Sequence, residues 1–223
     1  MQSLTNSTVG NKLFMSVSGI TMLLFAVIHV IGNLTIFFGG LNAYSDKLHS
    51  LPVLVWMTRL IMVTMFSVHI FFGIQLTLAN FKSKPEEYTV KKSLSTTFAG
   101  KTMIWTGLLI GIFLLYHLLH FTIQVINPEI SASIVSDTLG RPDVSRMVVY
   151  NFKKAAVSLT YVLAMTSLVL HLTHGIQSSF QTLGLGSERT QPVIIKSGAV
   201  LAFILFLGYV LIPILVFARI ING

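Results

Sequence analysis

The chain has 223 residues, 53% hydrophobic and only 10% charged, with a net charge of +8 and a mean hydropathy of +0.80. A soluble domain carries about 25% charged residues, so a soluble fold is excluded and the composition predicts a single integral membrane domain over 1–223. There is no cysteine, which excludes iron–sulphur clusters, thiolate or thioether-linked haem and disulfides on this chain.

A membrane-spanning helix needs roughly 20 apolar residues. Five stretches qualify, at 13–38, 53–79, 102–126, 154–180 and 193–218. In lipid such a run satisfies its own backbone only as a helix, so the predicted fold is all-α, with five transmembrane helices. The first stretch contains His29 and lacks the small-residue cleavage site of a signal peptide. Leu41–Leu51, with Asn42, Asp46 and Lys47, reads as a loop, and Pro52 opens the second stretch, which holds Arg59 and His69. Lys82–Gly100 is polar, with Pro85, Glu86, Glu87, Lys91 and Lys92. The third stretch carries His117 and His120. Asn127–Asn151 is the longest connection and contains Pro128 and the turn Gly140-Arg141-Pro142-Asp143. The fourth stretch carries His171 and His174; Gly184–Gln191 and Pro192 lead into the fifth, which Pro213 interrupts.

The basic residues are scattered over short connections, which points to anionic lipid, haem propionates or a partner surface and not to nucleic acid. The segment Lys82–Lys101 is the most concentrated basic one. It favours a cytoplasmic N-terminus.

Four apolar stretches thus bury a histidine, and an ionisable side chain at membrane depth is costly and marks function. His29 and His117 each lie about nine residues before one end of their helices, and His69 and His171 about nine or ten before the opposite end. The two levels differ by about seven residues, or about 10 Å at 1.5 Å per residue. Neutral imidazole is the natural axial ligand of haem iron, so two pairs at two depths read as the ligands of two stacked b-type haems, bound by the first four helices. Gly73 and Gly175 follow His69 and His171 by four positions. Each gives a flat macrocycle room against the helix. His120 and His174 each lie three residues after another histidine; a haem takes two ligands, so one of each neighbouring pair does something else. The glycine spacing selects His171, while the residues alone leave His117 and His120 open.

Other polar groups have roles near these depths. Lys101 at the base of the third stretch is placed to snorkel towards an inner propionate, and Ser16 to add a hydrogen bond. Arg59 lies inside the second stretch, where pairing with an outer propionate or a quinone offsets its burial. Asn33, Asn42, Asp46, His49 and Trp56, with Arg59, gather at the outer ends of the first two stretches. A quinone pocket needs an apolar slot, a few hydrogen-bonding groups and a proton donor; Asp46 and His49 are the candidate donors. The rival pocket is at the inner face, near Ser16, Lys12 and Lys101.

The segments Ser16-Val17-Ser18-Gly19 through His29-Val30-Ile31-Gly32-Asn33, Arg59 with His69-Ile70 through Gln75-Leu76, Asn80 and Pro85, Thr106-Gly107 with Tyr116-His117-Leu118, and His171-Leu172-Thr173-His174-Gly175 running into Phe180-Gln181-Thr182-Leu183-Gly184 together resemble the cytochrome b subunit of the single-anchor succinate dehydrogenase/fumarate reductase family. The resemblance covers most of the chain; it departs at Gln177, where the family has Trp after the fourth-helix glycine. It implies five helices, two haems b held by His29, His69, His117 and His171, and non-ligand roles for His120 and His174. It also implies a prokaryotic cytoplasmic membrane protein that anchors flavoprotein and iron–sulphur subunits and exchanges electrons with quinone, mostly menaquinone. The dicarboxylate site then lies on another subunit. Two alternatives use the same residues: an anchor for a hydrogenase or formate dehydrogenase, and a haem-free proton-coupled transporter.

Overall fold

The computed structural model describes residues 7–82, 97–132 and 134–222. Most of the polar connection Lys82–Gly100, including Pro85, Glu86, Glu87, Lys91 and Lys92, lies outside the described residues. Within them the chain is helical: α1 Thr8–Leu34, α2 Leu41–His49, α3 Pro52–Lys82, α4 Phe98–Lys101, α5 Met103–His117, α6 Val144–Phe152, α7 Ala155–Thr182 and α8 Gln191–Phe217. Five segments are long and apolar enough to cross a membrane: Thr8–Phe38, Pro52–Lys82, Met103–Thr122, Ala155–Thr182 and Gln191–Phe217.

The ends have local causes. Ser7 caps α1 by accepting the Gly10 N–H at 3.0 Å, Thr97 caps α4 through Gly100 at 3.1 Å, and Asp143 caps α6 through Arg146 at 3.0 Å. Pro52 and Pro192 stand in first turns, where no backbone N–H is needed.

The structure departs from the sequence reading in three places. Leu41–Leu51 is not a plain loop: it forms α2, which tucks Leu41 under the bundle end. The long connection Asn127–Asn151 contains α6, which buries Met147, Val149, Asn151 and Phe152. Both helices have too little continuous apolar sequence to register as spans. The third apolar stretch stops being helical earlier than expected. After His117 it widens into a π turn at Leu118–Thr122, with the Ile123 N–H bonded to Leu118 O at 2.7 Å. Gln124 then takes a left-handed φ of 60° and ends it.

α8 is the backbone of the assembly. It packs most extensively on α7 and also lies along α1. Glycines permit both approaches: a Cβ on Gly198 would stand 2.9 Å from Ile176 Cγ2 of α7, and one on Gly208 would stand 2.7 Å from Val30 Cγ2 of α1. Tyr209 adds a hydroxyl bond to Ala26 O of α1 at 2.7 Å. Pro213, buried in α8, leaves its own carbonyl 3.5 Å from the Ser158 hydroxyl. α3 is peripheral, with Phe72 its single buried residue. It packs on α1 through stacked Phe14 and Phe72, 4.7 Å between ring centres, and through Asn11 Nδ2 donating to Gln75 Oε1 at 3.2 Å. α5 packs on α7.

α2 and α6 cap one end. Asn42 Nδ2 donates to Asp143 at 3.0 Å and to Asp137 at 3.4 Å, while Asn42 Oδ1 accepts the Ser145 N–H at 2.8 Å. Asp137 also holds Arg141 at 2.7 Å and accepts the Leu139 and Arg141 backbone N–H groups. The Arg141 guanidinium is the main reason the Asp137 carboxyl is held down at about 2.

Two outcomes follow from these contacts. Gly208→Val should push α8 off Val30 and cost about 1–3 kcal/mol, read as a lower Tm in detergent; an unchanged Tm would mean the close approach is not needed. The lowered Asp137 carboxyl contributes to the loop above the ordinary carboxylate range and loses its contribution as pH falls through about 2. The 13C-carboxyl titration of Asp137 should therefore have its midpoint near 2, moving up towards 3.8 in Arg141→Gln.

Candidate functional site

The four histidines named from depth meet across helices in the expected pairs. The rings of His29 on α1 and His117 on α5 have centres 6.0 Å apart, and those of His69 on α3 and His171 on α7 are 6.2 Å apart. Neither α1 with α5 nor α3 with α7 packs extensively along its backbone. The imidazoles are what reach across.

Hydroxyl groups orient both members of the second pair. Ser18 Oγ lies 3.1 Å from His69 Nδ1. The same oxygen is 2.7 Å from Phe14 O and 3.1 Å from Met15 O. Its single hydrogen goes to a carbonyl, so His69 Nδ1 donates to it. That leaves the His69 Nε2 lone pair free. His171 repeats the arrangement: Thr106 Oγ1 lies 3.2 Å from His171 Nδ1 and 3.1 Å from both Thr102 O and Met103 O. In each case the next residue is a glycine facing the same ring. A Cβ on Gly19 would lie 3.4 Å from His69 Cε1, and one on Gly107 3.3 Å from His171 Cε1. A larger residue would press the imidazole away from its hydroxyl.

The first pair is held unequally. His117 Nδ1 lies 3.2 Å from the Tyr161 hydroxyl, and His120 Nδ1 lies 3.3 Å from the same oxygen. Tyr161 comes from α7 and is buried among Phe113, Tyr116, Phe121 and Phe152. His120 is 1% exposed, and its Nε2 has no partner. His29 differs from the other three: its Nε2, not its Nδ1, is in contact, 3.3 Å from Asn33 Nδ2 one turn further on.

Gly175, one turn from His171, faces open space, whereas Gly73 has Met15 at 3.7 Å from a Cβ. His174 lies on α7 with its Nδ1 buried and unpartnered.

The remaining predicted residues fall elsewhere. The buried Ser16 gives its hydroxyl hydrogen to Lys12 O at 2.9 Å; Ser18, two residues on, is the one that holds a histidine. Arg59 is exposed on α3, with its guanidinium carbon 5.0 Å from the Trp56 ring centre. Lys101 is exposed at the end of α4. Asp46 and His49 lie on the exposed side of α2, His49 Nδ1 bonding Ser45 O at 2.8 Å. Asn33 is turned to His29, and Asn42 belongs to the α2–α6 clasp.

Ser18, Thr106 and Tyr161 escaped the sequence reading. A signal for two of them was present. Ser18-Gly19 and Thr106-Gly107 each stand the same distance, 11 residues from hydroxyl to imidazole, before His29 and His117. Nothing comparable marks Tyr161.

No family model, curated protein or solved structure matches the chain.

The hydroxyl geometry has a direct readout. In 15N-histidine-labelled protein, His69 and His171 should each show a protonated Nδ1. Ser18→Ala should disturb the His69 signal and leave His171 unmoved, at a stability cost of about 1–3 kcal/mol for the stranded donor. A protonated Nε2 on either ring would contradict the assigned direction of these bonds.

Proposed function

We propose that the chain is the di-haem cytochrome b anchor of a succinate:quinone oxidoreductase, with His29/His117 and His69/His171 as the axial pairs of two haems b. The observation that carries this reading is the pair of cross-helix imidazole contacts, with Nδ1 held from behind in three of the four rings. A nitrogen ligand sits about 2.0 Å from its metal with the ring centre about 1 Å behind, so two imidazoles on opposite sides of one iron have centres about 6 Å apart. Edge-to-face ring contacts occupy the same range of separations. The hydroxyls favour ligation over simple packing: an Nδ1–H fixed by a second group leaves Nε2 as the metal-binding nitrogen, the usual support of a ligating histidine. His69, His171 and His117 have that support. His29 has its Nε2 on Asn33, which must yield that nitrogen to the iron.

Bound here, haem supplies one-electron transfer between the two ends of the bundle. The chain's residues do the rest. The imidazoles hold and orient the iron, Ser18 and Thr106 set the ring planes, and the apolar faces of α1, α3, α5 and α7 keep water out. Gly175 leaves open space beside the helix one turn from His171, while Gly73, one turn from His69, is met by Met15. Helix ends near Lys12 and Lys101 carry cationic groups for propionates.

The choice of dehydrogenase rests on the motif resemblance, strongest at His171-Leu172-Thr173-His174-Gly175. On that reading flavoprotein and iron–sulphur subunits dock at the cytoplasmic, N-terminal end of α1. Quinone, menaquinone in most relatives of this type, exchanges electrons at the end capped by α2. Asn33, Asp46, His49, Trp56 and Arg59 lie towards that end.

The visible spectrum of the purified protein is the test. Two low-spin b-type haems per chain are expected by pyridine haemochrome, and each of His29→Ala, His69→Ala, His117→Ala and His171→Ala should lower haem content. His120→Ala and His174→Ala should keep both haems. A spectrum without haem bands would sink the reading and leave a transporter. Haem without co-purifying flavoprotein and iron–sulphur chains would move the anchor to another dehydrogenase.

A further inference from the structure

The two imidazole pairs differ in what stands behind them. Behind His69 and His171 are aliphatic hydroxyls, each already committed to a backbone carbonyl. Behind His117 is the Tyr161 phenol, which also touches His120. One hydroxyl hydrogen cannot serve both rings. If Nε2 of His117 binds iron, its Nδ1 carries the proton and donates to Tyr161 Oη. The tyrosine hydrogen must then go to His120 Nδ1, and the His120 proton sits on Nε2.

That side chain is 1% exposed, and the Asn151 side chain of α6 is the polar group next to it. The ring reaches Tyr161 through Nδ1 and packs on Phe121, 4.2 Å between centres, and Tyr116, 5.1 Å between centres. His117 and His120, three residues apart on one helix face, both reach Tyr161 of α7.

We infer that Tyr161 and His120 form a directed hydrogen-bond chain, His117 Nδ1–H to Tyr161 Oη–H to His120 Nδ1, that sets the potential of the His29/His117 haem independently of the other. The inference rests on the haem reading above. Tyr161 is a positioning residue that acts through His117, and His120 acts through Tyr161. An acceptor on Nδ1–H makes the imidazole more electron-rich and favours the oxidised iron. A phenol that itself donates onward is a stronger acceptor than one that does not. Removing either link should therefore raise the potential of this haem alone.

Redox titration of the haem bands in the purified full chain tests this, with the His29/His117 wave identified as the one lost in His29→Ala. Tyr161→Phe should raise the midpoint of that wave, leave the other unmoved and keep haem content at the wild-type level. His120→Leu should raise the same midpoint by less. His120→Gln, whose amide oxygen can accept the tyrosine hydrogen, should return it towards wild type. The low-spin electron paramagnetic resonance signal of the same haem should shift in step. If Tyr161→Phe does not assemble, the two His120 variants decide the matter. Unmoved waves with full haem, a fall instead of a rise, or equal movement of both waves would overturn the inference. Absence of haem from the wild-type chain would overturn the underlying reading and the inference together.

Discussion

A neutral imidazole inside an apolar bundle has two ring nitrogens, one donor and one acceptor, and no water to satisfy either. Leaving one bare costs as much as several good packing contacts gain. The arrangement around the four paired histidines follows from that constraint. Backbone carbonyls in a helix are already taken by the i+4 N–H, so the handiest extra partner is a small hydroxyl on the neighbouring helix, and that hydroxyl can in turn lean on its own helix's carbonyl. Ser18 and Thr106 both do this. The ring approaches closely because the next residue is glycine.

The same requirement organises the helices. α3 has one buried residue and packs almost wholly on α1. Phe14 on Phe72, Asn11 on Gln75 and Ser18 on His69 form a ladder along that one interface. α5 stands to α7 as α1 does to α3, with Thr106 on His171 as the matching rung. α1 and α7 then touch each other and share α8 as a common support. Two polar-rung helix pairs joined at their inner members leave the outer members, α3 and α5, to meet the opposite pair through histidine.

Much of this was legible in the residues. A helix buried in lipid must be long and apolar, so hydropathy found all five spans and placed Pro52 and Pro192 at helix starts. The histidine pairs followed from depth alone, because depth along a helix is a count of residues. What depth cannot give is azimuth relative to a partner. Ser16 and Ser18 differ by two residues, about 200° around the helix, and it is Ser18 whose hydroxyl reaches His69. Arg59 looked like a buried cation in need of an anion, but α3 turns it outward over Trp56. α2 and α6 were missed because their helical pattern is short and set in polar chain; Asp143 as a cap before Val144-Ser145-Arg146-Met147 was the one local hint. The π turn at Leu118–Thr122 has no sequence mark.

The likeness between the two halves goes deeper than the histidines. Each half runs hydroxyl, glycine, a histidine later on the same helix, and then a second histidine on the next long helix, followed after one turn by glycine. In each half the hydroxyl holds the second histidine, never the first. The first histidines, His29 and His117, must therefore find other partners, and there the halves diverge. His29 turns to Asn33 on its own helix, while His117 turns to Tyr161 on α7 and shares it with His120. The second histidines share one symmetric solution. The first ones do not, and the asymmetry lies at the end capped by α2 and α6, where the two halves have also acquired different connections. A bundle built from two similar units thus holds two chemically equivalent histidine pairs in unequal surroundings.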